Sequence, residues 1–117
     1  MDPFQVMAHP VRRYLVELLA ECEAPAGELA EMVQHHFGVG WPTVSHHLRI
    51  LHQGGFARVR DDWPHRLYRL DDRAIARLEA RVADLRAKWN RRDGESYFVR
   101  VELEEARWPS DRADRPG

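Results

Sequence analysis

A glycine pair, Gly54-Gly55, separates two kinds of periodicity in this chain, and their order restricts the fold more than any other feature. Before it, Val44, Leu48 and Leu51 recur at helical spacing behind Pro42, a residue suited to a first helical turn, and the glycines end the pattern. After it, Phe56 to Arg60 and Arg66 to Leu70 read as two short strands. Asp61-Asp62-Trp63-Pro64, with His65, forms the tip between them.

Two more helical patterns precede this unit. His9 to Cys22 carries Val11, Leu15, Leu18 and Cys22 on one stripe, widened by Leu19, with Arg12, Arg13, Glu17 and Glu21 opposite. Pro10 cuts it off from a short leading helix through Phe4, Val6, Met7 and Ala8. Ala24-Pro25-Ala26-Gly27 breaks the pattern, and a second helix follows through Leu29, Met32 and Val33. His35-His36-Phe37-Gly38-Val39-Gly40 is then expected to be a glycine-rich turn leading into the Pro42 helix. Two helices joined by such a turn make a helix-turn-helix, and a hairpin placed directly after it makes a winged helix: mainly α with a β-hairpin wing.

The last clear element runs from Asp72 to about Arg92, where Ile75, Leu78, Val82, Leu85 and Trp89 alternate spacings of three and four. A terminal helix in so small a domain has little core left to cover, so this seam is expected to meet a second copy of the chain. Ser96 to Trp108 reads equally as a strand or a short helix, and the polar end from Pro109 as disordered. The expected organisation is one domain over 1–92 and an acidic, partly disordered extension over 93–117.

With 117 residues, 44% of them hydrophobic, the chain buries one core. No apolar run approaches the ~18 residues of a membrane span, Met1-Asp2-Pro3-Phe4 lacks a secretion pattern, and the single cysteine allows no internal disulfide. A cytoplasmic location is expected. The net charge of −1 conceals segregation. From Met1 to Gly40 two arginines face six acids, whereas from Trp41 to Leu70 five arginines face two aspartates. From Asp71 to Arg92 seven basic side chains face four acids, and from Asp93 to Asp111 two face six. A basic middle of this kind is what contact with phosphates requires.

With Val44, Leu48 and Leu51 committed to the core, the Pro42 helix has Thr43, Ser45, His46 and Arg49 free. Hydroxyls and imidazole bond phosphates or base edges, and arginine can engage guanine O6 and N7 together. Arg58, Arg60 and Arg66 flank Trp63 on the hairpin and suit the phosphate backbone. A solvated polar face is the alternative for each residue singly; the helix-turn-helix and hairpin together favour double-stranded DNA as the partner.

Met7-Ala8-His9-Pro10-Val11-Arg12-Arg13, Gly27-Glu28-Leu29-Ala30, Pro42 to Leu51, Gly55-Phe56-Ala57-Arg58-Val59-Arg60 and Tyr68-Arg69-Leu70 resemble the arsenical-resistance-repressor (ArsR) family. The resemblance spans Phe4 to Trp89 and is most specific at Pro42 to Leu51. It implies a homodimer built on the first and last helices, with Phe4, Ile75, Leu78, Val82, Leu85 and Trp89 at the interface. It further implies a recognition helix carrying Thr43, Ser45, His46 and Arg49, a basic wing, and a repressor of an operator with palindromic half-sites. Two departures stand out: a longer turn between Ala30 and Pro42, and Trp41 where a small polar residue or Gln is usual.

Members of this family often release DNA on binding a metal. Where thiolate sensors hold paired cysteines this chain has Pro25 and Gly27, and no histidine lies between Asp72 and Arg92. No metal or other cofactor is therefore expected. The alternative is a Ni- or Zn-responsive regulator using His35 and His36, joined by His9 or His65, since imidazoles suit those ions. His47 and His52 are expected to pack or cap within the recognition helix, and Cys22 to be a buried, inert thiol. Without a phosphate loop or nucleophile elbow, an enzyme is not expected. An activator, or a regulator needing a protein co-regulator through the acidic tail, remains an alternative.

Overall fold

The computed structural model describes residues 1–92, and its two leading prolines each open a helix. Helix α1 (Pro3–Ala8) is held by a reciprocal cap in which Asp2 accepts the Phe4 N–H at 3.1 Å and Gln5 accepts the Asp2 N–H at 2.7 Å. Pro10 cannot continue α1 and instead starts α2 (Pro10–Glu21), which His9 caps by accepting the Val11 N–H at Nδ1, 3.1 Å. Then come β1 (Ala24–Pro25), α3 (Ala26–Phe37), α4 (Trp41–Gln53), β2 (Ala57–Asp62), β3 (His65–Leu70) and α5 (Asp72–Arg91). Helices α3 and α4 form the helix-turn-helix and β2–β3 the wing, so the mainly α, winged helix-turn-helix architecture read from the sequence is the one observed.

The wing belongs to a three-stranded antiparallel sheet of order β1-β3-β2, in which Tyr68 stands opposite Ala24 on one side and Val59 on the other. β1 lies in the segment read above only as a break. Two residues are too few to show alternation, and their strand character comes entirely from pairing with β3. Both wing strands also run further than expected, to Asp62 and from His65, which leaves Trp63-Pro64 alone as the tip.

Three local differences alter the placement of candidate residues. α3 continues through His35 and His36 to Phe37, because the first residue to adopt the left-handed conformation is Gly38 (φ 73°), whose N–H closes on Gln34 O at 2.8 Å. The turn is thus Gly38–Gly40. Cys22 is exposed, not buried: α2 stops at Glu21, and Cys22 follows in extended backbone (φ −163°, ψ 157°), off the helical stripe. Arg12, expected outward, is buried with only 8% exposed.

The chain separates by its internal contacts after Arg81. In Met1–Arg81 the core is built from Val6, Leu15, Leu29, Val33, Val44, Leu48, Leu51 and Phe56, all fully buried, each contributing about 1.5–3 kcal/mol. Gly55, at φ 77°, turns the chain so that Phe56 drops into this core, its N–H bonded to Leu51 O and its carbonyl to the Asp71 N–H, both at 2.9 Å. The start of α5 joins it through buried Ala74 and half-buried Leu78, so part of the predicted seam covers its own subunit. Phe4 and Ile75 stay exposed, and the Arg81 guanidinium lies 4.9 Å over the Phe4 ring. From Val82 onward, α5 continues to Arg91 with Lys88 paired to Asp84 at 3.3 Å, and Val82, Leu85 and Trp89 are all more than half exposed. No helix of the described residues is long and apolar enough to cross a membrane. The expected 93–117 extension, including the ambiguous 96–108 stretch, lies outside the described residues.

Candidate nucleic-acid interface

The outward face of α4 follows from what its inward face buries. Val44, His47, Leu48 and Leu51 point into the core, which leaves Thr43, His46 and Arg49 exposed along the opposite side, with Ser45 half-buried at its edge. Among the described residues Arg49 makes no ion pair, so its guanidinium fork is available to a ligand. His52, expected to pack or cap, is exposed in the last turn.

His47 packs as expected, and its partner is one that the periodicity does not show. Arg12 extends under α4, its Nε–H donating to Val6 O (3.0 Å), one terminal nitrogen to Gln5 O (3.2 Å) and the other to His47 Nδ1 (3.2 Å). Arginine can only donate, so His47 Nδ1 is the acceptor and the ring proton sits on Nε2. The His9 ring lies 4.2 Å from that of His47. One buried guanidinium therefore ties the end of α1 to the recognition helix and sets the level at which α4 sits.

Burial first, then the neighbouring His9, Arg12 and His46, push the His47 pKa down to about 4. A histidine in the unfolded chain titrates near 6.5. Between those values the unfolded chain binds a proton that the folded chain refuses, so this group's contribution is complete above pH 6.5 and is lost as pH falls toward 4. Unfolding free energy from urea titrations is expected to drop over that interval by up to about 1.4 kcal/mol per pH unit, and His47→Gln to flatten the slope. An unchanged slope in the variant would remove His47 from this role.

The wing divides its arginines. In the strand register Arg58 stands opposite Arg69 and Arg60 opposite Leu67 on one face; Val59–Tyr68 and Asp61–Arg66 share the other. Arg66 thus lies on the side of Tyr68 and meets Ser45 across a common cavity, while Arg58 and Arg60 face away from it. Arg60 is held by Glu23 (3.2 and 3.3 Å), whose hydrogen bonds and charge raise its pKa, and Arg66 stands 3.5 Å from Asp61. Arg58 has no carboxylate partner among the described residues. Arg69, not singled out from the sequence, is exposed directly opposite Arg58 and extends the basic face; strand alternation was the signal that could have found it. Trp63 at the tip is 90% exposed.

His36 stacks on Tyr14 (4.5 Å, 11°), His35 is exposed beside it, and among the described residues no three His, Cys, Asp or Glu side chains gather as a ligand set.

A model of the family described as "Bacterial regulatory protein, arsR family" matches residues 9–59, from the cap of α2 into β2. The solved structure of a "Possible transcriptional regulator for arsenical resistance" is 36% identical, covering 73% of this chain and 84% of its own, with a TM-score of 0.64. The chain belongs to the ArsR family. This is the family to which Pro42–Leu51 and the flanking motifs point. A relative in Xylella fastidiosa, a "Biofilm growth-associated repressor", is 35% identical over 74 residues, 63% of this chain and 61% of that repressor's length. The homodimeric winged helix-turn-helix domain of a possible ArsR-family regulator from Mycobacterium bovis is similar in fold (TM-score 0.55, 23% identical, 81% of this chain and 84% of its own).

Proposed function

We propose that this ArsR-family chain is a DNA-binding transcriptional repressor that acts as a homodimer on an operator with two half-sites, binding double-stranded DNA and catalysing nothing. The observation that carries the reading is the division of α4: its apolar side and His47 are buried, while Thr43, His46 and Arg49 stand exposed on its opposite side. In this reading Thr43, Ser45, His46 and Arg49 read bases or nearby phosphates in the major groove. Arg58, Arg60 and Arg66 take flanking phosphates, with Arg60 and Arg66 exchanging Glu23 and Asp61 for the backbone. The naming of the Xylella relative as a repressor supports repression over activation.

The test is affinity for the chain's own promoter DNA across a salt titration. A steep linear fall of log K with log salt is expected, and Arg49→Ala should weaken specific binding by about 1–3 kcal/mol with dimerisation intact. A flat salt response together with unchanged affinity in Arg49→Ala would overturn the proposal in favour of a protein partner.

A further inference from the structure

Beside the recognition helix lies a cavity of about 400 Å³, walled by the first turn of α3, the first turns of α4 and the wing. We propose that it is an effector site for a small planar aromatic carboxylate, and that occupying it competes with DNA. The competition rests on the DNA-binding reading above; the ligand site itself does not.

Four observations lead to this ligand. The first is size: the volume falls in the range of small-molecule pockets, roughly 300–1,000 Å³, and far exceeds one phosphate group. The second is the wall, where Trp41, 47% exposed, and Tyr68 offer aromatic surface to a flat ring.

The third is electrostatic. Arg66 and His65 line the cavity and, among the described residues, no carboxylate does. Helix α3 starts there behind Pro25 with no side-chain cap, so its first N–H groups present the positive end of a 12-residue helix. The space beside that end is open: a Cβ built at Gly27 would meet nothing within 4 Å. Arg66's partner, Asp61, is 3.5 Å away and exposed, and yields readily to a better-placed anion.

The fourth observation is Tyr68. It lines the cavity at 7% exposure, yet its hydroxyl has no hydrogen-bond partner among the described residues. The hydroxyl of this otherwise buried residue therefore has a free donor, and a ligand carboxylate in the cavity supplies an acceptor for it. Because Ser45 and Arg66 belong to both the cavity and the proposed DNA face, they cannot serve both at once.

The experiment is calorimetric titration of the DNA-free, full-length protein with indole-3-carboxylate, indole-3-carboxamide and inorganic phosphate. Saturable binding of the carboxylate is expected, with the neutral carboxamide at least tenfold weaker and phosphate weaker still. Tyr68→Phe keeps the ring packed; it should weaken the carboxylate about tenfold while leaving promoter affinity without ligand within twofold. Saturating carboxylate should weaken promoter binding by the wild type at least tenfold.

Equal binding of carboxamide and carboxylate overturns the anion site, and phosphate binding as tightly as the carboxylate makes the cavity a seat for the DNA backbone instead. Absence of carboxylate binding at millimolar concentration overturns the proposal even if promoter binding is normal. Carboxylate binding by a protein that never binds its promoter leaves the ligand site standing and removes the DNA reading.

Discussion

Arg12→Ala is expected to destabilise the protein by about 2–4 kcal/mol, a fall in Tm of about 10–25 °C for a domain of this size. The guanidinium is 8% exposed and donates to three acceptors, Val6 O, Gln5 O and His47 Nδ1. Removing it leaves Val6 O and His47 Nδ1 in buried surroundings without this donor, at about 1–3 kcal/mol each, frees the part-buried Gln5 O, and opens a cavity under α4. Arg12→Lys should recover little, since a single ammonium cannot span two carbonyls and an imidazole as the planar fork does. Differential scanning calorimetry of both variants checks this. A loss below about 0.5 kcal/mol in Arg12→Ala, the size of an ordinary surface substitution, would show that the network is incidental.

Leu85→Glu should have the largest functional effect. Val82, Leu85 and Trp89 are 55–58% exposed along a 20-residue helix, and a partner copy covering them is the proposed dimer contact. A carboxylate at position 85 would have to be desolvated in that contact, so the variant should run as a monomer in analytical ultracentrifugation. Promoter affinity should then fall about 100-fold or more, because two linked recognition helices reach half-sites ~34–36 Å apart at a high effective concentration that a monomer lacks. A monomeric Leu85→Glu protein that binds the promoter normally would refute the dimeric mechanism.

Several residues show how far periodicity alone reaches. Val44, Leu48 and Leu51 against Thr43, His46 and Arg49 were legible because a helix lying on a core repeats that core's polarity every turn. Arg12 was not, since periodicity places a charged residue outward. Only the break between α1 and α2 brings the carbonyls of Gln5 and Val6 to its guanidinium. The thiol of Cys22 was misplaced by one residue of helix, and His35 and His36 by one turn of it. In each case the end of the element was set by which residue first left helical geometry. The wing arginines looked equivalent until the register assigned Arg66 to one face and Arg58 and Arg60 to the other.

The order of the helices and the hairpin, the winged helix-turn-helix class, the ArsR membership and the outward face of the recognition helix were all determined by the sequence itself. They depend on local periodicity and on turn residues, which act over a few positions. The buried Arg12–His47 contact, the two-residue β1, the division of the wing arginines and the cavity between Trp41 and Tyr68 were decided only by the tertiary structure. Each joins groups far apart in the chain, and no local pattern records which backbone carbonyl, strand edge or helix end will arrive beside a given side chain once the core has closed.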